Sequence, residues 1–165
     1  MQLESVDQPD GFDQFFDSVD ADAIGTDAAD VRAVWDDAVA APAWEGPPVW
    51  VHGDLHPANV VVADGTLAGV VDFDELCVGD PASDLAAAWV LLPAGAAARF
   101  FAAYAEADEA TVRRARGLAA LKSLFLMLMG QNGDRALPGG KQAWGPAGRA
   151  ALDRVLSERL TRFHE

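Results

Sequence analysis

The stretch His52-Gly53-Asp54-Leu55-His56-Pro57-Ala58-Asn59 decides the reading of this 165-residue chain. It is a polar loop that follows Val49-Trp50-Val51, an apolar run with the composition of a short buried strand. Val60-Val61-Val62 comes next, then Asp64-Gly65 and the run from Leu67 to Val71. Asp-Gly between two apolar runs marks a tight hairpin, because such a turn needs positive φ. Asp72 closes the second strand, and the hairpin brings it back beside the loop. Asp54, Asn59 and Asp72 therefore gather at strand ends, a layout suited to phosphoryl transfer. One carboxylate accepts the proton of an attacking hydroxyl, while an amide and a second carboxylate, both hard oxygen donors, hold Mg²⁺ against nucleotide phosphates. Magnesium usually takes only one or two protein carboxylates beside substrate phosphates, so this sparse set suffices.

On the N-terminal side, Phe12, Phe15, Phe16 and Val19 recur at helical spacing, with Asp10 or Asp13 available as a cap. Asp27 is placed to cap a helix from Ala28 to about Ala41, with Val31, Val34, Trp35, Ala38 and Val39 on its apolar face. Pro42 ends it, and Gly46-Pro47-Pro48 is a break. On the C-terminal side the chain reads as helical. Asp80 caps, Pro81 fits the first helical position, and this helix runs to Leu92 before Pro93. Helices over about Ala94–Ala107 and Glu109–Gly130 follow, then a Gly- and Pro-rich loop, Gln131 to Gly145, and a last helix from Pro146 to Phe163. Trp89, in helical spacing with Leu85 and Leu92, belongs to the core. The expected fold is α+β and mostly α-helical, with a small β-hairpin carrying the loop. Residues 1–47 form an acidic helical segment, and 48–165 the unit that bears the chemistry.

The chain carries 26 acidic and 12 basic residues, a formal net charge of −14. Residues 1–50 hold 12 acids and only Arg32 as a base, net −11, so residues 51–165 account for just −3. Such acidity argues against nucleic acid or an anionic membrane as partner and is compatible with a cationic ligand. The segment reads either as a solvated face or as an acidic wall for a cationic substrate. A single cysteine, Cys77, excludes a disulfide framework within one chain and fits a reducing cytoplasm. No signal peptide is expected, and the apolar stretch Leu118–Met129, interrupted by Lys122, is too short to span a bilayer.

The loop and hairpin, followed by Gly69-Val70-Val71-Asp72-Phe73 and by Gly79-Asp80-Pro81-Ala82-Ser83-Asp84-Leu85-Ala86, resemble the aminoglycoside phosphotransferase family, which is related to protein kinases. Three spaced blocks in order make the likeness specific, densest over Pro48 to Leu92. The resemblance implies the helical C-lobe of a protein-kinase-like fold. It implies ATP- or GTP-dependent transfer of the γ-phosphate to a small-molecule hydroxyl, an aminoglycoside among the candidates and antibiotic resistance the matching role. Asp54 matches the catalytic aspartate, and Asn59 and Asp72 match the metal- and nucleotide-binding pair for Mg²⁺. Asp84 resembles an acid that holds the loop through backbone donors. His52 and His56 stand as supporting or substrate-side residues. Asp74, where relatives carry glycine, and Glu75 add charge beside the metal site.

Two other readings compete. His52, Asp54 and His56 alternate, so an extended loop would turn all three to one side for a transition metal, although the only further histidine is His164. The second reading follows from what precedes the loop. No lysine, Gly-rich loop or strand meander lies upstream of His52, and both lysines, Lys122 and Lys141, come after it. A kinase-like enzyme needs those parts to grip its nucleotide. The expectation is therefore a C-lobe without its N-lobe: truncated, working with a separate N-lobe, or a non-catalytic ligand- or partner-binding remnant. The isolated chain would then be inactive, and apolar surface uncovered at the lobe boundary would favour self-association.

Overall fold

The structure, a computed structural model, describes residues 9–158. In chain order it comprises α1 (Pro9–Ser18), α2 (Ala21–Ile24), α3 (Ala28–Val39), β1 (Val49–Val51), β2 (Val60–Ala63), β3 (Thr66–Val70), β4 (Cys77–Gly79), α4 (Ala82–Leu85), α5 (Ala87–Val90), α6 (Ala97–Tyr104), α7 (Glu109–Asp134) and α8 (Trp144–Ser157). The architecture is mixed and mostly helical, with two small antiparallel ladders. None of the described helices is long and apolar enough to cross a membrane.

Helix α7 is the axis of the packing. Asp108 caps it, its side chain accepting from the Thr111 N–H at 2.7 Å, and Glu109 sits in the first turn where the helix dipole favours an acid. It continues past Gly130, where a stop had been expected. The reason is a close crossing with α8: a Cβ on Gly130 would lie 2.3 Å from the Gly145 Cα. Glycine there lets two backbones meet and does not end the helix. The last helix stops at Ser157, earlier than expected, and Phe163 and His164 lie outside the described residues. The helix expected over Asp80–Leu92 is two short helices, and Arg154 donates to the closing carbonyls of the second, Trp89 at 2.6 Å and Val90 at 3.1 Å.

Residues 9–47 and 48–158 share one core. Phe12, Val31 and Trp35 are buried with Trp89, Leu118, Leu124 and Leu152. Phe12 stacks on Trp35 with ring centroids 4.6 Å apart. Acidic residues of the first segment pair with arginines of the second: Asp20 with Arg135 at 2.7 Å, Asp27 with Arg149 at 2.6 Å, and Asp37 with Arg113 at 2.8 Å. Asp27 is thus an ion-pair partner and makes no side-chain cap for α3.

The loop does not ride on one hairpin. It runs from β1, which pairs with β4 (Trp50↔Val78), into β2, which pairs with β3 through a bulge at Val61/Val62. β4 is three residues long, too short to show a periodicity in the sequence. Asp64 and Gly65 both take positive φ, 51° and 73°, the geometry of a two-residue hairpin turn.

Asp80 and Arg114 form a buried bidentate pair, with Arg114 Nε 2.7 Å from Asp80 Oδ2. Asp80 Oδ1 accepts from the Ala82 N–H at 2.9 Å, and Arg114 also donates to Thr111 Oγ1 and to the Pro42 carbonyl. This pair therefore joins α7, the start of α4 and the chain after α3. Arg114→Met leaves a buried carboxylate uncompensated and is expected to cost about 3–5 kcal/mol in urea unfolding. Asp80→Asn in that background should recover a substantial part of the loss. Arg113→Met, at the half-exposed pair with Asp37, should cost less than about 1 kcal/mol. Equal costs for the two arginines would sink this account.

Candidate active site

The loop is anchored from below by one carboxylate. Asp84 Oδ2 accepts the His52 N–H at 2.7 Å and Oδ1 the Gly53 N–H at 3.0 Å. Gly53 has φ +84°, and a Cβ there would meet the Glu75 carbonyl oxygen at 2.7 Å, so only glycine fits. His52 is buried, and both ring nitrogens are engaged. Nδ1 accepts from the Asp54 N–H at 3.3 Å, which makes Nε2 the donor to the Val71 carbonyl at 2.9 Å. Its ring lies 4.7 Å from that of Phe73.

Asp54 stands at the turn of the loop with its side chain 43% exposed. Asn59 Nδ2 donates to the Asp54 carbonyl at 2.9 Å and to its Oδ2 at 3.3 Å. His56 Nδ1 accepts from the Ala58 N–H at 3.2 Å, so Nε2 carries the proton that faces Asp54 Oδ2 at 3.3 Å. The His56 ring is held 4.7 Å from the ring of Trp144 at the start of α8. The Asn59 amide thus orients the carboxylate by a hydrogen bond to Oδ2, with the His56 ring beside it.

Asp72 is tied to the same network through its neighbour. The Val71 N–H donates to the Asn59 carbonyl at 3.0 Å, and the Val71 carbonyl receives His52. Asp72 follows with φ 62°, a left-handed conformation that costs a non-glycine residue about 1–2 kcal/mol. Its side chain is exposed. Asp74 lies exposed in the turn from Phe73 to Leu76, closed by the Leu76 N–H on the Phe73 carbonyl at 3.0 Å. Glu75 comes nearer: its backbone packs on Gly53 and it borders the cavity beside Asp54.

The transition-metal reading fails on geometry. His52 has no lone pair left for a metal, since one ring nitrogen accepts a backbone N–H and the other carries a hydrogen. Among the described residues no three His, Cys, Asp or Glu side chains converge as a metal cluster. A Mg²⁺ site with few protein ligands remains compatible. With its nitrogen committed to Asp54, Asn59 has its amide oxygen as the ligating atom, and Asp72 supplies a carboxylate. Both are hard donors suited to that ion.

Lys122 and Phe15 reach this region without being singled out by sequence reasoning. Lys122 Nζ lies 3.4 Å from both the Gly53 and the Leu55 carbonyls, one on each side of Asp54. Burial pulls its ammonium below the ordinary lysine range, while the charges of Asp54 and Asp84 hold it up. The signal was present: Lys122 interrupts an otherwise apolar run. Beside it, a cavity of about 460 Å³ opens next to Asp54 and includes Phe15 of α1 in its wall.

The Asp84 fork should be measurable directly. Asp84→Ala leaves two buried N–H groups without acceptors, an expected cost of roughly 2–3 kcal/mol. Amide exchange at His52 and Gly53 should quicken far more than in the core of α7. Uniform acceleration across the chain would instead mean that Asp84 stabilises the fold in general.

Comparison with known proteins gives the family. The sequence model of the phosphotransferase enzyme family (APH) matches residues 7–118, about two thirds of the chain. A viomycin phosphotransferase from Streptomyces vinaceus is 38% identical over 81 residues, a segment that makes up 47% of this chain and 27% of that relative. The matched segment therefore spans about a quarter of the relative's length. No solved structure matches the chain. The family match takes in the loop with Asp54 and Asn59, the strand end at Asp72 and the anchoring Asp84, and this chain belongs to the phosphotransferase enzyme family, the aminoglycoside phosphotransferase family that its motifs resemble.

Proposed function

We propose that this chain is the helical, C-lobe part of a kinase-like phosphotransferase that moves the γ-phosphate of ATP or GTP to a hydroxyl of a small molecule. The observation that carries the reading is the held, half-exposed carboxylate of Asp54. Its Oδ2 takes the Asn59 donor, with His56 Nε2 3.3 Å away, so Oδ1 is the oxygen that accepts the hydroxyl proton. Asn59 and Asp72 would hold Mg²⁺, which when bound neutralises phosphate charge during transfer. His52 and Asp84 position the loop and touch no reacting atom. The likeness to a viomycin phosphotransferase supports phosphoryl transfer and makes viomycin one acceptor to test.

A kinase-like enzyme grips its nucleotide with a strand-rich lobe that carries a lysine, and such a lobe is part of the proposal. The strand surface supports it: Trp50 is 73% exposed, and Val62 and Leu67 are each 63% exposed. Large apolar side chains exposed on the strands of both ladders support a surface that another element covers.

Turnover should be assayed with Mg-ATP and Mg-GTP against viomycin and a panel of alcohols. The chain is used alone and with the separately expressed nucleotide-binding part of the viomycin enzyme. Transfer is expected with the added nucleotide-binding part and not with the chain alone. Nucleotide-independent ligand binding with no transfer in both would establish a binding module instead. In an active arrangement, Asp54→Asn should lower kcat by about 10²–10⁴ with little change in KM for nucleotide.

Asp72→Gly separates function from fold. It relieves the left-handed strain, so the melting temperature should hold or rise, while Mg²⁺-dependent nucleotide binding by calorimetry is lost. Loss of stability with retained binding would place Asp72 among the structural residues.

A further inference from the structure

The cavity beside Asp54 has a composition that speaks to the acceptor. Four of its walls are apolar: Phe15 from α1 and Leu118, Leu121 and Phe125 from successive turns of α7. Phe15 and Phe125 meet edge to face at 5.7 Å, so the α1 wall is fastened to the α7 wall. The polar lining residues are Asp54, Glu75, Ser83 and Lys122. A volume of about 460 Å³ is within the range of small-molecule sites.

We infer that this cavity is the acceptor site and that it takes an alcohol with a compact apolar body, aryl or branched alkyl, in preference to a polycation. The inference rests on the phosphotransfer reading only in naming the occupant an acceptor. An apolar body would remove four apolar walls from water while its hydroxyl stays at the Asp54 end. A polycation would have to strip water from several ammonium groups against those same walls, an unfavourable exchange. Lys122 sets one ammonium at the cavity's polar end beside Asp54. The acidity of the first 50 residues does not reverse this. Asp20, Asp27 and Asp37 are engaged by Arg135, Arg149 and Arg113, and among the described residues no acid before His52 lines the cavity.

The test is a binding experiment that needs no nucleotide and no turnover. The full chain, labelled at leucine methyl groups, is titrated with 3-phenylpropan-1-ol and separately with kanamycin as the polycation. The aryl alcohol is expected to shift the Leu118 and Leu121 methyls saturably, with at least tenfold tighter binding than kanamycin at those methyls. Lys122→Met should narrow that ratio, and Phe125→Ala should weaken the alcohol severalfold while the remaining methyl spectrum stays folded. Kanamycin shifting the same methyls at equal or lower concentration overturns the inference. So does the failure of both probes to shift them. Asp54→Asn should leave the alcohol's shifts in place. If the alcohol fails to bind while the Asp54 variant still abolishes transfer, the acceptor inference falls and the phosphotransfer reading stands. If the alcohol binds and no transfer occurs, the ligand class of the cavity stands, and the phosphotransfer reading falls together with the name acceptor.

Discussion

The bidentate bond between Arg114 and Asp80 is the constraint on which the rest of the molecule depends. Both side chains are almost fully out of water, so each charge is tolerable only because the other is present. Asp80 also takes the Ala82 N–H, which fixes where α4 begins. Asp84 lies within that four-residue helix and projects its carboxylate at the His52 and Gly53 amides. A sequence of polar contacts therefore runs from α7 through Asp80 and Asp84 to the loop that presents Asp54. A buried ion pair is weak evidence for net stability, but here it serves to orient. It holds the short helix that sets the loop, and the loop sets the carboxylate.

Around Asp54 the geometry is over-determined. His52 reaches from the start of the loop to the far strand end at Val71, Asn59 returns to Asp54 from the other side, and His56 is clamped between the Ala58 N–H and the ring of Trp144. Because each histidine accepts a backbone N–H at Nδ1, each carries its neutral-form hydrogen on Nε2. The tautomers follow from the fold. The left-handed backbone of Asp72 is held in place by the same contacts through Val71, as is common for strained residues at functional sites.

The charge asymmetry acquires a structural meaning. Three of the acids concentrated before the Pro-rich break are met by arginines from α7, α8 and the turn between them. Those pairs are partly exposed and individually modest. With the shared core of Phe12, Val31 and Trp35, they register the first segment against the second. Among the described residues the segment reaches the site through an apolar residue, Phe15, and not through an acid. An acidic composition is thus a poor guide to what an acidic protein binds when its acids are occupied in joining one part of the chain to another.

By itself the sequence determined the local parts. The loop between Val51 and Val60, the Asp-Gly hairpin, the helices with 3.6-residue apolar spacing and the trio Asp54, Asn59 and Asp72 all follow from short-range signals: turn chemistry, strand alternation and capping. Other features waited on tertiary structure because they arise between segments remote in sequence. The pairing of β4 with β1 depends on where a three-residue strand is delivered, and the passage of α7 beyond Gly130 depends on the backbone of α8 arriving against it. The diversion of Asp27 from cap to ion pair depends on Arg149. Lys122 and Phe15 show the same division at the site. Their helices were legible, but which face of α7 lies under the loop, and that α1 closes the cavity wall, are outcomes of core packing. Hydrophobic burial is non-directional and acts between all elements at once, so no local stretch encodes it.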